Sequence, residues 1–268
     1  MSSLREVHVS ESPDFRELDC REAQLLQKSL LPRDYLRTPA FEISFRYRTF
    51  IDVGGDFLDY FYLDDRQLGL YLGDVVGKGL TAAMYATLCM GTLRMIHKTG
   101  EQPSAVLQAF NRRLRARPVS NRYCVTEYAV FNPQTLELRL ANGGLPLPLL
   151  ISANGCRPLG EGGLPSGLFD YAEYEQHSVQ LSSGDAVLFA TDGLYEAFAP
   201  DGQEFGLDQL IELSAAPKYK TADQILDSIF DAIEHFTKNT IRDDTMAMVL
   251  KVLHHSPLAA CRTSTPRD

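Results

Sequence analysis

Carboxylates set beside glycine at the ends of apolar runs are the residues of this sequence best suited to chemistry. Asp56 stands in VGGDF, Asp74 in LGDVVGKG, Asp192 in ATDGLYE, and Asp243 and Asp244 in IRDDT. Hard dications take oxygen ligands, and glycine lets backbone carbonyls come close to an ion. If these four segments converge, they form a carboxylate-rich site suited to Mg2+ or Mn2+. Taken singly, an aspartate at a strand-to-turn junction is a turn or cap residue, so the reading depends on convergence. Asp64, Asp65, Asp201 and Asp208 read as ordinary turn or surface residues.

Other chemistries find less support. The histidines (His8, His97, His177, His235, His254 and His255) include no metal-spaced pair in the folded region, which argues against zinc. No Ser, Cys or His nucleophile sits in a recognisable triad or dyad. GDVVGKG is one residue short of a phosphate-binding GxxxxGK loop, and Gly79 stands where Ser or Thr should be. VGGDF shares three residues with the GGDEF signature of diguanylate cyclases, but Phe57 replaces the glutamate.

The elements that must position the aspartates follow from periodicity. Residues 41–50, 57–63 and 67–75 read as strands, the last two joined by the turn Asp64-Asp65-Arg66. Residues 79–97 read as a helix apolar on nearly every side and therefore buried. Residues 103–116 form an amphipathic helix with Val106, Leu107, Phe110 and Leu114 on one face. Strands follow at 123–131 and 136–142. A loop-rich stretch with one short apolar strand covers 143–168, and strands return at 172–181 and 186–191. A short helix at 207–213 precedes a helix at 221–236, which opens with Thr221 and Gln224 at capping-box spacing and turns Ile225, Ile229, Ile233 and Phe236 inward. A strand at 245–253 closes the domain. Upstream, 15–31 favours helix, with Leu18, Leu25, Leu26 and Leu30 in a rough stripe ended by Pro32. Antiparallel runs interrupted by two blocks of helix give an α+β chain rather than a βαβ rhythm.

Bulk properties are those of an ordinary soluble globular protein, and the charge alone decides nothing about metals. The chain has 268 residues, 44% hydrophobic and 23% charged, enough to bury a core without disulfides or zinc. A formal charge of −9 argues against a nucleic-acid surface. The five cysteines (Cys20, Cys89, Cys124, Cys156 and Cys261) are odd in number and contain no CxxC pair, which fits free thiols in a reducing compartment. The polar, acidic N-terminus is no signal peptide and no apolar run reaches the length of a membrane span, so a cytoplasmic location is expected.

The order of the motifs resembles the bacterial SpoIIE/RsbU-type branch of the PPM, or metal-dependent, protein phosphatases. LLP (30–32), FRYRTFIDVGGDFLDYF, LGLYLGDVVGKGLTAAM, LRLANGGLPLPLLI, GLPSGLF, VLFATDGLYEAF, DGQEFG and RDDTMAMVL occur in that family's order, from about Leu30 to Leu253. The resemblance implies a four-layer αββα sandwich of two antiparallel sheets, with two Mn2+ or Mg2+ ions at one edge. It implies that Asp74 bridges both ions, that the Val75 carbonyl completes one, that Asp192 and Asp243 hold the other, and that Asp56 sits close by. Asp244 is a further candidate, and Glu196 matches a position linked to a third, weaker ion. It divides the chain into a tail and linker helix at 1–38, a phosphatase domain at 39–253 and a disordered tail at 254–268.

The implied activity is hydrolysis of phosphoserine or phosphothreonine on a regulatory protein, an anti-anti-sigma STAS-type protein being the usual substrate, by a metal-activated water. Two competing readings are a catalytically silent module that keeps the fold and a nucleotide or small-molecule phosphohydrolase. A silent member should have lost a ligand, and Asp56, Asp74, Asp192 and Asp243 are all present. The pattern departs from the eukaryotic branch at Ile51 and Gly55, where that branch has arginine and glutamate. Lys78 and Arg48 could replace the lost phosphate clamp or be solvated charges. Leu145 and Leu147 interrupt a segment that often carries histidine. The resemblance also implicates helices 15–31 and 79–97 in switching, with an activating partner or a homodimer contact on the first. Ala82, Ala83, Ala86 and Gly91 would let the second slide. The plainer alternatives are a linker and a core helix.

Overall fold

Alternating strands with two apolar faces must be covered on both sides, and this chain solves that with two stacked sheets. The structure, a computed structural model, describes residues 13–33, 35–64, 66–96, 102–215 and 221–253. Helix α1 (Pro13–Leu30) is followed by β1 (Tyr35–Arg37), β2 (Phe41–Arg48), β3 (Phe57–Tyr62) and β4 (Leu68–Val75). Helices α2 (Leu80–Ile96) and α3 (Pro103–Ala116) come next, then β5 (Cys124–Asn132), β6 (Glu137–Gly143), β7 (Leu149–Ser152), β8 (Gly155–Pro158), β9 (His177–Gln180) and β10 (Ala186–Ala190). The chain ends with α4 (Asp192–Tyr195), α5 (Gly206–Ser214), α6 (Ala222–Thr237) and β11 (Thr245–Val252).

One sheet runs β1-β2-β11-β10-β7-β8 and the other β3-β4-β5-β6-β9, with every pairing antiparallel. Three apolar clusters correspond to the three seams between four layers. Phe41, Ile43, Leu70, Leu72, Phe131, Phe189 and Met248 fill the seam between the sheets. Phe57, Tyr71 and Tyr128 meet α2 and α3 on one outer face, where Val106, Leu107, Phe110 and Leu114 are buried as the amphipathic pattern requires. Leu188, Ala247 and Val249 meet α5 and α6 on the other, where Ile225, Ile229 and Ile233 are buried and Phe236 packs at the margin. The result is the αββα sandwich.

The helix α6 capping box is formed. Thr221 accepts from the Gln224 N–H at 3.2 Å, and the Thr221 N–H donates to the Gln224 side chain at 3.2 Å. Glu42 on β2 adds a carboxylate at the same helix start, accepting from the Ala222 N–H at 2.6 Å.

Three expectations need correction. Helix α2 buries Ala82, Ala83, Ala86, Cys89 and Leu93, but Leu80, Met84, Leu88 and Met95 stand 49–72% exposed. It is an outer-layer helix with one face on the sheet, and its apolar outer face hides that fact from a periodicity argument. Gly91 has nothing near its missing side chain, so it is not a close-packing position. The strand expected at 172–181 is confined to His177–Gln180, because residues 172–176 form no ladder with β6. Strands β1 and β8 and the short helix α4 had no clear periodic signal. His97, His8, His254, His255, Cys261, Asp65 and the tail at 254–268 lie outside the described residues.

Candidate metal centre

Strand register brings the aspartates together from both sheets. Phe57 pairs with Gly73, which sets Asp56, just before β3, beside Asp74 near the end of β4. In the other sheet Ala190 pairs with Ala247, which sets Thr191 and Asp192 beside the start of β11, where Asp243 and Asp244 enter. Both sets of strand ends open at the same edge of the sandwich. Asp56 feels the charges of Asp74 and Asp244, and Asp74 feels the charges of Asp192, Asp243 and Asp244.

Bonds across the seam lock the two halves. The Thr191 hydroxyl donates to Asp56 Oδ2 at 2.8 Å, both residues being buried. Asp244 accepts from the Gly55 N–H through Oδ2 at 2.7 Å and from the Phe50 N–H through Oδ1 at 2.8 Å. Both Asp244 oxygens thus serve the loop that carries Asp56. Gly54 and Gly55 are required there. A Cβ on Gly54 would lie 2.2 Å from the Tyr47 hydroxyl and 2.4 Å from Asp244 Oδ2. A Cβ on Gly55 would lie 3.0 Å from the Val75 carbonyl and 3.3 Å from Asp74 Oδ1, filling the space between the two oxygens. Gly193 is equally constrained, since a Cβ there would stand 1.9 Å from the Asp244 carbonyl.

The electrostatics are those of carboxylates short of cations. Burial and then the Asp74 charge push Asp56 well above the usual carboxylate range. Burial and the Asp192 charge push Asp74 up to about 7. Asp192 is raised by burial and by Asp243; Asp244 is raised by burial, against which the Phe50 and Gly55 N–H groups act. Glu196, exposed at the end of α4, is raised by burial and by the charges of Asp192, Glu204 and Asp243. Like charges so placed repel unless protonated or bridged by a cation.

This donor set fits hard dications. It offers carboxylates from four segments and a buried backbone carbonyl at Val75, with a side-chain-free cradle at Gly55 between that carbonyl and Asp74. Among the described residues, no three of these aspartates have carboxylate oxygens all within 4.8 Å of one another. The one trio that meets that distance lies elsewhere: Glu161, Glu175 and His177, on β9 and the loop before it, with both glutamates exposed.

The proposed phosphate clamps are placed differently from each other. Lys78 is no free solvated charge: its Nζ lies 2.6 Å from Asp243 Oδ2, donates to the Arg242 carbonyl at 2.5 Å and sits 5.0 Å from the centre of the Phe50 ring. Arg48 pairs with Glu234 and stacks over Phe230 on α6, which removes it from the cluster. Arg122, which the sequence reading passed over, donates to the Val76 carbonyl at 2.6 Å and to the Thr81 hydroxyl at 3.0 Å, bracing the turn after Asp74. Thr191 was also missed. Its position immediately before Asp192 at a strand end was the available signal. Asn142, in the segment interrupted by Leu145 and Leu147, braces that loop by donating to the Leu145 carbonyl and accepting from the Gly144 N–H.

Comparisons with known proteins agree with this geometry. The family model of stage II sporulation protein E (SpoIIE) matches residues 64–253. The chain is 25% identical over 206 residues to phosphoserine phosphatase RsbU of Bacillus subtilis, covering 74% of this chain and 59% of that protein. It spans between 24% and 59% of the length of its curated relatives. The SiaA-PP2C domain of Pseudomonas aeruginosa superposes with a TM-score of 0.78 at 16% identity, over 90% of this chain and 99% of that one. RsbX, solved in complex with magnesium, superposes with a TM-score of 0.63 at 14% identity, over 81% and 98%. By sequence model and by architecture, the chain belongs to the SpoIIE/RsbU-type family of PPM (PP2C) phosphatases.

Proposed function

We propose that this chain is a metal-dependent protein phosphatase acting on phosphoserine or phosphothreonine in a regulatory protein of STAS type. The observation that carries the reading is the convergence of Asp56, Asp74, Asp192 and Asp243 at one edge of the sandwich, with the Val75 carbonyl near Asp74 across the Gly55 cradle. In the proposal Asp56, Asp74, the Val75 carbonyl, Asp192 and Asp243 would hold two Mn2+ or Mg2+ ions. Glu196 is the candidate for a third, weaker ion. Bound cations supply acidification of water and neutralisation of phosphate charge.

The chain's own residues do the rest. The carboxylates hold the charge balance, from buried Asp56 to half-exposed Asp243 at the rim. Asp244 and Thr191 fix the ligand loop, so that little reorganisation is left for the moment of reaction. Lys78 offers the cation nearest the cluster, and in the loaded state it is available to the incoming phosphate. Water adds to phosphorus, the ester bond to the serine or threonine oxygen breaks, and a proton is returned to that oxygen.

The catalytic unit proposed is 39–253, in the cytoplasm. The free thiols of Cys20, Cys89, Cys124 and Cys156 support a reducing setting. No helix among the described residues is long and apolar enough to cross a membrane. Leu18, Leu25 and Leu26 stand exposed on α1, which supports an activating partner or homodimer contact there. The test is phosphate release from a phosphoserine STAS-type protein, beside nucleotides, with and without Mn2+. Release from the phosphoprotein only with metal is expected. Metal-independent release, or preference for nucleotides, would contradict the proposal.

A further inference from the structure

We infer that Gln27 is a positioning residue for the metal loop: its side-chain amide holds the Gly54 peptide, making α1 part of the support for Asp56. The inference rests on the reading of Asp56 as a metal ligand. Gln27 Nε2 donates to the Gly54 carbonyl at 2.7 Å, and the Gly54 N–H donates to Gln27 Oε1 at 3.2 Å. One side-chain amide thus satisfies both polar groups of one residue, as two residues do in an antiparallel ladder. Gly54 offers one donor and one acceptor, so only one orientation of the amide makes both bonds.

The position of this pair gives it leverage. Gly54 is followed by Gly55, whose N–H is held by Asp244 on the opposite side, and then by Asp56, held by Thr191. Gly54 has no side chain with which to anchor itself, and it cannot gain one, because the Tyr47 hydroxyl and Asp244 occupy that space. A cleft of about 350 Å³ lies alongside, lined by Gln24, Gln27, Lys28, Tyr47 and Asp52 among others. A longer contact from α1 to this loop runs from Gln24 Nε2 to Asp52 Oδ1 at 3.4 Å. Helix α1 itself is fixed one turn further on. The Leu30 carbonyl accepts from Arg94 of α2 at 2.5 Å, and Leu30 and Leu31 pack against the helix-facing and inter-sheet cores. The Gly54 peptide is therefore aligned by a group that α1, not the sheets, carries.

The test is Mn2+ titration of the full chain, read both by calorimetric binding and by phosphate release, together with melting curves in EDTA. Gln27→Ala should raise the Mn2+ needed for half-saturation by about 3- to 10-fold, the scale of one or two lost neutral hydrogen bonds. Turnover at saturating Mn2+ should stay near wild type. Gln27→Glu, which keeps the shape and the acceptor but loses the donor, should fall in between or worse. Gln24→Ala should match wild type. Unchanged Mn2+ binding in a folded Gln27→Ala protein would overturn the inference; if that variant fails to fold, unchanged binding in Gln27→Glu would do so. If wild type itself binds no Mn2+, the metal reading falls first and this inference with it.

Discussion

Thr191 of one sheet donates its hydroxyl to Asp56 of the other at 2.8 Å, and so joins the two halves of the carboxylate cluster through a buried bond. The same hydroxyl oxygen accepts from the Met246 N–H at 3.0 Å, tying β10 to β11 at the same point. Thr191→Val keeps the shape and removes both interactions. It should cost about 1–3 kcal/mol of stability, as for a buried donor left unsatisfied. It should also raise the Mn2+ requirement, because Asp56 loses the Thr191 donor that holds its Oδ2. Chemical denaturation and Mn2+ titration of the variant check both outcomes; wild-type values in both would contradict the role.

The raised carboxylates make a signed statement about the metal-free protein. Asp56, Asp74, Asp192 and Asp244 all hold their protons more tightly when folded than when unfolded. Their stabilisation is full below the unfolded carboxylate pKa, about 4, and is lost as pH rises through the folded values, about 7 for Asp74. In EDTA the melting temperature should therefore fall between pH 5 and pH 8, and Asp74→Asn should flatten that slope. Saturating Mn2+ should remove the fall in wild type. A slope identical in wild type and Asp74→Asn would contradict the assignment.

Lys78 competes with metal for Asp243 in this arrangement, with Nζ 2.6 Å from Oδ2. The pair is nearly half exposed on both sides, so it is worth about 1 kcal/mol or less. Lys78→Gln should tighten Mn2+ binding by up to about 5-fold and raise KM for the phosphoprotein. Calorimetry separates these effects, and weaker Mn2+ binding in the variant would show that Lys78 supports the ligand rather than competing with it.

A substitution remote from the cluster calibrates these effects. Thr221→Ala removes the α6 cap and should cost about 1 kcal/mol while leaving Mn2+ dependence unchanged. A changed metal requirement would mean that α6 is coupled to the site.

The local elements were legible where chemistry and period agreed. The face of α3 and the cap of α6 followed directly from residue types, whereas Phe41–Phe45 of β2 are buried on both faces, Glu42 and Ser44 included, because β2 lies between the sheet seam and α6. What periodicity could not show was which face of an all-apolar helix meets solvent, hence the exposed Met84 and Met95 on α2. It also could not show pairing at a distance. Asp56 and Thr191 are 135 residues apart, Gln27 and Gly54 meet through an amide that any surface glutamine carries, and β1 and β8 are too short to show alternation. The aspartates were singled out because glycine flanks them, and the structure gives that pattern its cause: Gly54, Gly55 and Gly193 have no room for a side chain. Asp244 is a further candidate ligand, and each of its oxygens also accepts from a loop N–H group, a role that its sequence position did not show.

The central claim is that the aspartate cluster holds the ions that make this chain a phosphatase, and Asp74 lies at its middle. The decisive measurement pairs Mn2+ calorimetry with phosphate release from a phosphoserine protein in wild type and in Asp74→Asn. The account predicts that Asp74→Asn loses measurable turnover and high-affinity Mn2+ binding while melting, in EDTA at pH 8, at or above the wild-type temperature, because one repelling charge is gone. Wild-type turnover in Asp74→Asn, at saturating and at limiting Mn2+, would contradict it.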